Sequence, residues 1–238
     1  MDRINTPDIV LQAIQLSKEV TSPEGLLTIL DSVDLTVSSG ESIAVVGVSG
    51  AGKSTLLGLL AGLDVPSKGK VMLNGQDFSQ LDEDGRAALR SGSVGFVFQS
   101  FHLIPSLTAL ENVMLPLELT GHASPKATAM ETLEKVGLTS RASHYPRQLS
   151  GGEKQRVAIA RAFVVAPDVL FADEPTGNLD HRTGKTIIDL LFRLNQETGA
   201  TLVLVTHDLK LAQRCDRIFH MDDGRITSVE SPQDGEVL

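Results

Sequence analysis

The sequence predicts an α/β fold with a mainly parallel sheet, an antiparallel β subdomain and a helical insert. Three observations carry this. Ile43–Val46, Ser93–Phe98, Val169–Ala172 and Thr201–Thr206 are short, continuous apolar runs, the pattern of strands buried on both faces. Each run leads directly into polar chemistry: a glycine-rich loop, Gln99, Asp173-Glu174 and His207 respectively. Open α/β sheets bind ligands at the carboxyl ends of their strands. From Phe101 to about Ala162 the pattern turns mainly helical, which marks the insert.

The remaining elements follow in chain order. Residues 8–17 read as extended, and Thr21–Leu26, with Pro23 and Gly25, as a loop. Ser32–Val37 alternates apolar and polar residues through Val33, Leu35 and Val37, the period of a half-buried strand. Ser38-Ser39-Gly40-Glu41 reads as a turn before the first buried strand. After Lys53, Leu56, Leu57, Leu59, Leu60 and Leu63 recur with helical spacing. Asn74-Gly75 between Val71–Leu73 and Gln76 is a hairpin signal. Breaks in the helical stretch are expected at Pro105, Pro116, Gly121 and Pro146. Arg217–Met221 and Arg225–Ser228 flank Asp223-Gly224 and predict a terminal hairpin.

Composition narrows the function. A chain of 238 residues, 41% hydrophobic and 21% charged, suits one large domain or a domain with a subdomain. The net charge of −9 argues against general nucleic-acid binding, which calls for a basic footprint. It leaves nucleotide binding open, because one Lys and a ring of amides set the local field. The one cysteine, Cys215, allows no internal disulfide framework and points to a reducing compartment. Met1–Asn5 lacks the basic-then-apolar order of a secretory leader, so none is expected. No apolar run approaches the roughly 20 residues that cross a bilayer, so work at a membrane would require a partner.

Gly47-Val48-Ser49-Gly50-Ala51-Gly52-Lys53-Ser54-Thr55 fits G-x-x-x-x-G-K-[ST], the P-loop whose amides wrap phosphate oxygens. Lys53 can reach the β- and γ-phosphates, Ser54 can offer its hydroxyl to Mg²⁺, and Gly47, Gly50 and Gly52 let the backbone come close. The motif alone indicates a nucleoside triphosphate and no particular reaction. Asp173 fits the acidic ligand of Mg²⁺ in phosphoryl transfer, and Glu174 a group that orients and deprotonates water. Without the loop, the same two acids would read as a solvated turn. Gln99 reads either as a surface residue or as an amide oxygen for Mg²⁺ and its waters, and His207 as a contact to the γ-phosphate region. Ser150-Gly151-Gly152-Glu153 is a second phosphate-binding turn opening a helix that buries Val157, Ile159, Ala160 and Phe163. It equally reads as a capping box, and both readings hold together.

The set resembles the nucleotide-binding subunit of ATP-binding cassette (ABC) transporters, in the family's order and over nearly the whole chain. Gly47–Thr55 is similar to its Walker A motif, Val169–Glu174 to Walker B, and Leu149–Glu153 to the signature motif. Gln99 resembles the Q-loop glutamine, Asn178-Leu179-Asp180 the D-loop and His207 the switch histidine. The resemblance implies a P-loop NTPase core with a β subdomain at 1–98 and 163–238, and a helical subdomain at 99–162. It implies catalytic Glu174, His207 and Gln99, with Mg²⁺ on Ser54, Gln99 and Asp173. It further implies two copies packed head to tail. ATP is then held by Gly47, Ser49, Gly50, Ala51, Gly52, Lys53, Ser54 and Thr55 of one copy, and by Ser150, Gly151 and Gly152 of the other, with Asp180 nearby. A membrane permease would dock near Phe101, Leu103, Ile104 and Leu107, which look exposed.

One position departs from the family. An aromatic ring usually stacks on adenine, but Val20 occupies the matching place, in a chain with one Tyr (Tyr145) and no Trp. Finer matches lie in Phe96–Gln99, Leu107–Val113, Ala172–Asp180 and Ala212–Arg217. They resemble the subgroup of lipoprotein-releasing (LolD-like) and macrolide-export (MacB-like) ATPases, nearest to the bacterial YbbA type. That likeness implies a permease with few spans (MacB/FtsX-like), a place on the cytoplasmic face of the bacterial inner membrane, and export, extraction of lipophilic molecules or mechanotransmission. DNA-repair members carry long coiled-coil insertions and translation members usually two cassettes, and a single cassette of 238 residues with an acidic balance fits neither expectation well. A small-molecule kinase is disfavoured by Ser150-Gly151-Gly152, and a regulatory module that binds ATP with little turnover stays open.

Overall fold

Residues 9–38 fold back on themselves as β1 (Ile9–Ser22) and β2 (Gly25–Ser38). The computed structural model describes residues 8–23 and 25–232; the Met1–Asn5 leader question and Glu24 of the expected loop lie outside them. Contacts divide the chain into two units, one built from residues up to Arg86 and from Val205 onward, the other from Ala87–Leu204.

In the first unit the alternation of Val33, Leu35 and Val37 is realised, all three buried against Leu11, Ala13 and Leu16 of β1. The loop expected over 21–26 is a tight hairpin, with Val20 opposite Leu27, Thr21 opposite Leu26 and Ser22 opposite Gly25. None of the described tip residues is buried, so the segment lacks the burial pattern that signals a strand. β3 (Ser42–Val46) is buried throughout, as its composition requires, and runs into the glycine loop and α1 (Lys53–Leu60). Leu63 was expected to extend the apolar stripe of α1. Instead Gly62, at φ 65°, ends the helix and Leu63 is exposed.

β4 (Lys68–Leu73) and β5 (Gln76–Asp77) form the expected hairpin, with Asn74 and Gly75 both left-handed as its tight turn demands. Strand order in this antiparallel sheet is β2-β1-β4-β5. The exposed helix α2 (Glu83–Arg90) follows; the sequence reading did not assign it.

In the second unit β6 (Val94–Phe98) opens the chain path to α3 (Ala109–Leu119), α4 (Pro125–Lys135) and α5 (Gly151–Phe163). Helix begins only at Ala109, where Thr108 and Glu111 form a capping box. Residues 101–108 are therefore loop. Pro116 was expected to break a helix but sits inside α3. The buried side chain of Asn112 accepts from Ile104 N and donates to the carbonyls of Ile104, Leu107 and Thr108, which anchors this end of α3. β7 (Val169–Asp173) pairs in parallel with β6, with Phe98 opposite Asp173. α6 (His181–Thr198) also escaped the sequence reading, and β8 (Thr201–Val205) lies beside β7.

The last described elements are short α7 (Leu209–Ala212), β9 (Arg217–Asp222) and β10 (Arg225–Glu230). β9 runs parallel to β3, and the predicted Asp223-Gly224 turn joins it to β10. Among the described residues no helix is long and apolar enough to cross a membrane.

Candidate functional site

The glycine loop of the first unit is held largely by its own chain. A Cβ on Gly47 would lie 2.2 Å from the Met221 carbonyl oxygen, and one on Gly52 2.9 Å from the Ile29 carbonyl oxygen. Gly50 has open space around it, but its φ of 86° favours glycine. Two of the three glycines thus answer to local packing as well as to any ligand. Ala51 is buried; its N–H donates to Val48 O and its carbonyl accepts from Gly224 N. Lys53 is only 8% exposed, and its Nζ donates to Gly47 O and Val48 O, both at 2.9 Å. An ammonium has a third N–H to give. Ser49 and Ser54 are exposed, and Thr55 is half-buried.

His207 emerges close to this loop. Thr206 N donates to Val45 O of β3, two residues before Gly47, and Thr206 Oγ1 accepts from Asp208 N. His207 is exposed. Val20 is half-buried on the β1–β2 hairpin opposite Leu27.

In the second unit, parallel pairing of Phe98 with Asp173 brings Gln99 and Glu174 out at the same end of adjacent strands. Glu174 has φ 44°, a left-handed non-glycine residue of the kind that clusters at functional turns. Its carbonyl accepts from Gly177 N. Gln99 is tied to Asn178: its Nε2 lies 3.5 Å from Asn178 Oδ1, and Asn178 Nδ2 donates to Gln99 O at 3.0 Å. Phe101 and His102 are both left-handed, and the Arg161 guanidinium donates to both of their carbonyls. Of the residues expected to be exposed here, only Ile104 is, at 37%. Phe101, Leu103 and Leu107 are half-buried because this loop folds back on Asn112 and Arg161. The sequence reading did not single out Leu119, which is 76% exposed.

Ser150 caps α5 through the box its spacing predicts. Its Oγ accepts from Glu153 N, while Glu153 Oε2 accepts from Ser150 N and from the Ser150 hydroxyl. Arg141 Nε donates to Glu153 Oε1 at 2.9 Å. That bond first, and the Ser150 bonds next, hold the Glu153 carboxyl at about 2. The amides of Gly151 and Gly152 remain to meet an anion at the positive end of the helix. Packing also favours glycine at 152, since a Cβ there would meet Thr183 Cγ2 at 2.6 Å and force a shift.

Ser150, Gly151 and Gly152 line a cleft of 640 Å³ with Arg156, Arg182 and Asp180. Asp180, grouped by the sequence with the nucleotide ligands, caps α6 by accepting from Thr183 N. Hydrogen bonds from Thr183 lower its carboxyl below the usual range. The arginines at 156, 161 and 182, and the buried Gln155, were not singled out from sequence. For Gln155 the signal was a polar residue within the apolar face of a helix. Ser54, Gln99 and Asp173 offer hydroxyl, amide and carboxylate oxygens, the donor chemistry that suits Mg²⁺.

A glycine loop of this form, running from a buried strand into a helix, marks the P-loop class of nucleotide-binding proteins. Comparison with known proteins narrows the class. Residues 30–177 match the ABC transporter family profile. The ABC transporter ATP-binding protein YbbA of Escherichia coli K12 is 57% identical over 219 residues, covering 91% of this chain and 96% of that protein. The lipoprotein-releasing system ATP-binding protein LolD of Syntrophotalea carbinolica is 50% identical over 220 residues, 92% of this chain and 97% of its own. Among solved structures, a dimeric post-hydrolysis state of the ATP-binding cassette MJ0796 bound to ADP and Pi superimposes with a TM-score of 0.87. It is 40% identical and covers 93% of this chain and 98% of that one. The chain belongs to the ABC transporter family, as an ATP-binding, ATP-hydrolysing cassette of the YbbA and LolD kind.

Proposed function

We propose that this cassette works as a homodimer that closes around two ATP molecules and powers a membrane permease. The observation that carries the reading is the capped N-terminus of α5. Ser150, Gly151 and Gly152 offer a second anion-binding surface, on a cleft with Arg156 and Arg182, in a chain whose Lys53 loop already supplies one. Both surfaces find a use if each triphosphate is gripped by Lys53 of one copy and by the Ser150 turn of its partner. The dimeric state of MJ0796 supports the same arrangement.

The roles follow from chemistry. Lys53 and the loop amides of Gly47, Ser49, Gly50, Ala51, Gly52, Ser54 and Thr55 neutralise phosphate charge at the start of α1. Ser54, Asp173 and Gln99 would hold Mg²⁺, which would supply neutralisation of phosphate charge. Glu174 orients a water and accepts its proton as the new O–P bond forms and the bridge to the β-phosphate breaks. His207 donates to a γ-phosphate oxygen. Asp180, beside the Ser150 turn, keeps the start of α6 in place for the partner's nucleotide. Val20 gives adenine apolar contact without ring stacking.

Residues 99–162 act as the helical subdomain that meets the permease near Ile104. We assign that partner to the few-span MacB/FtsX-like type, and the work to export or extraction of a lipophilic substrate or to mechanotransmission, from the cytoplasmic face of a bacterial inner membrane. The LolD relatives support this choice.

Sedimentation velocity with Mg-ATP tests the reading. Glu174→Gln should turn over on the order of 10²–10⁴-fold more slowly and accumulate as a dimer. Adding Ser150→Arg should return it to monomer with ATP binding intact. A dimer that survives Ser150→Arg refutes the cross-subunit grip, and parental turnover in Glu174→Gln removes that residue from its role.

A further inference from the structure

Gln155 lies on α5, five positions beyond its cap Ser150, and is fully buried. Its Nε2 donates to the carbonyl of Pro175 at 2.6 Å, while its Oε1 is buried with no hydrogen-bond partner. A half-satisfied buried amide is unfavourable, and an apolar residue of similar volume would leave no orphaned oxygen. What the amide offers that a Met or Leu does not is the bond to Pro175.

Pro175 follows Glu174 directly, and Glu174 has the left-handed φ of 44°. Proline has a fixed φ and no N–H, so its carbonyl is the one polar handle by which its backbone can be held. β7 fixes the chain up to Asp173, Gly177 N closes on Glu174 O, and Gln155 holds the far side of the turn. The turn that presents Glu174 is thus tied to the helix whose first turn carries Ser150.

We propose that Gln155 is a positioning residue. It sets the orientation of Glu174 and links the anion-binding end of α5 to the catalytic turn of the same chain. Five residues of α-helix span about 7.5 Å, short enough to move as a rigid piece. A shift of α5 when Ser150 engages phosphate is then delivered to Glu174. The inference rests on the reading of Glu174 as the group that takes the proton from water.

Steady-state ATPase measurements on the full chain test it. Gln155→Met keeps the volume and removes the donor, so kcat should fall on the order of 10²-fold, the scale of a small misplacement of a catalytic group. KM for Mg-ATP and the affinity for a non-hydrolysable ATP analogue should stay within about twofold. Gln155→Glu supplies a donor only when protonated, and burial raises such a carboxyl toward neutrality. Its kcat relative to the parent should therefore rise as pH is lowered from about 8 to 6, a readout that stands even if Gln155→Met does not fold.

Parental kcat in Gln155→Met, a parallel loss of kcat and nucleotide affinity, or a pH-independent ratio in Gln155→Glu overturns the proposal. Glu174→Gln, measured alongside, separates the two readings. If it hydrolyses at the parental rate, the role of Glu174 fails and the link falls with it. If it is slow while Gln155→Met is fast, only the link fails.

Discussion

Gly152→Ala tests the packing that holds the signature turn. The added methyl would sit 2.6 Å from Thr183 Cγ2, about 0.8 Å inside the 3.4 Å at which ordinary contact begins. The bond from Thr183 N–H to Asp180 Oδ1 fixes its backbone at the start of α6, so its methyl can clear only by leaving its rotamer or by a shift of a helix. Either Thr183 leaves its rotamer or one of the two helices shifts, and overpacking of this kind costs about 1–3 kcal/mol. Alanine returns up to about 1 kcal/mol through its helix propensity. The net loss should be about 1–2 kcal/mol, or roughly 2–8 °C in melting temperature for a chain of this size.

The clash is with a single methyl group, so Thr183→Ser removes it and keeps the hydroxyl. In a double-mutant cycle by urea unfolding, the pair should recover at least about 1 kcal/mol relative to additivity. ATP-driven dimerisation should weaken in Gly152→Ala and return in the double variant. A Gly152→Ala protein as stable as the parent, or a cycle with no coupling, would refute the reasoning.

Two further outcomes are expected. Lys53→Ala removes a charged donor, so nucleotide affinity measured by fluorescence titration should drop roughly 10- to 100-fold, and unchanged affinity would count against the loop. Glu153 contributes through a carboxyl held at about 2 against 4.5. A depressed acid stabilises the fold above its unfolded value, and that share fades as pH falls from about 5 toward 2. Arg141 is partly solvated, so the contribution is nearer about 1–2 kcal/mol than the full shift implies. Parent and Glu153→Gln unfolding curves should accordingly converge as pH is lowered, and a gap that stays constant with pH would exclude this origin.

Much of the fold was legible because burial and period coincide. The all-apolar runs became β3, β6, β7 and β8, and the Asn74-Gly75 and Asp223-Gly224 turns sit where residues tolerant of positive φ allow them. Reading failed where a local rule met tertiary support. Pro116 stays helical within α3, and the strands pair up to Ser22 and Gly25 although none of the described tip residues is buried. α6 was readable and missed: Asp180 caps it, Ile187, Ile188, Leu190, Leu191 and Leu194 mark its face, and Gly199 at φ 70° ends it.

The glycine loop and the strand-end residues were legible as candidates, and the structure shows the elements that carry them. Sequence offered no way to learn that Gly47 answers to Met221, that Gln99 bonds Asn178, or that Gln155 reaches Pro175. Those facts depend on which residues distant in the chain become neighbours.

Asn112 has a mechanical consequence. Its side-chain amide bonds within one short stretch of chain, to Ile104, Leu107 and Thr108. A surface braced in this way cannot absorb a push by rearranging locally. Load applied at Ile104 passes into the axis of α3 with little slack, so this corner of the molecule behaves as a stiff strut and not as a cushion.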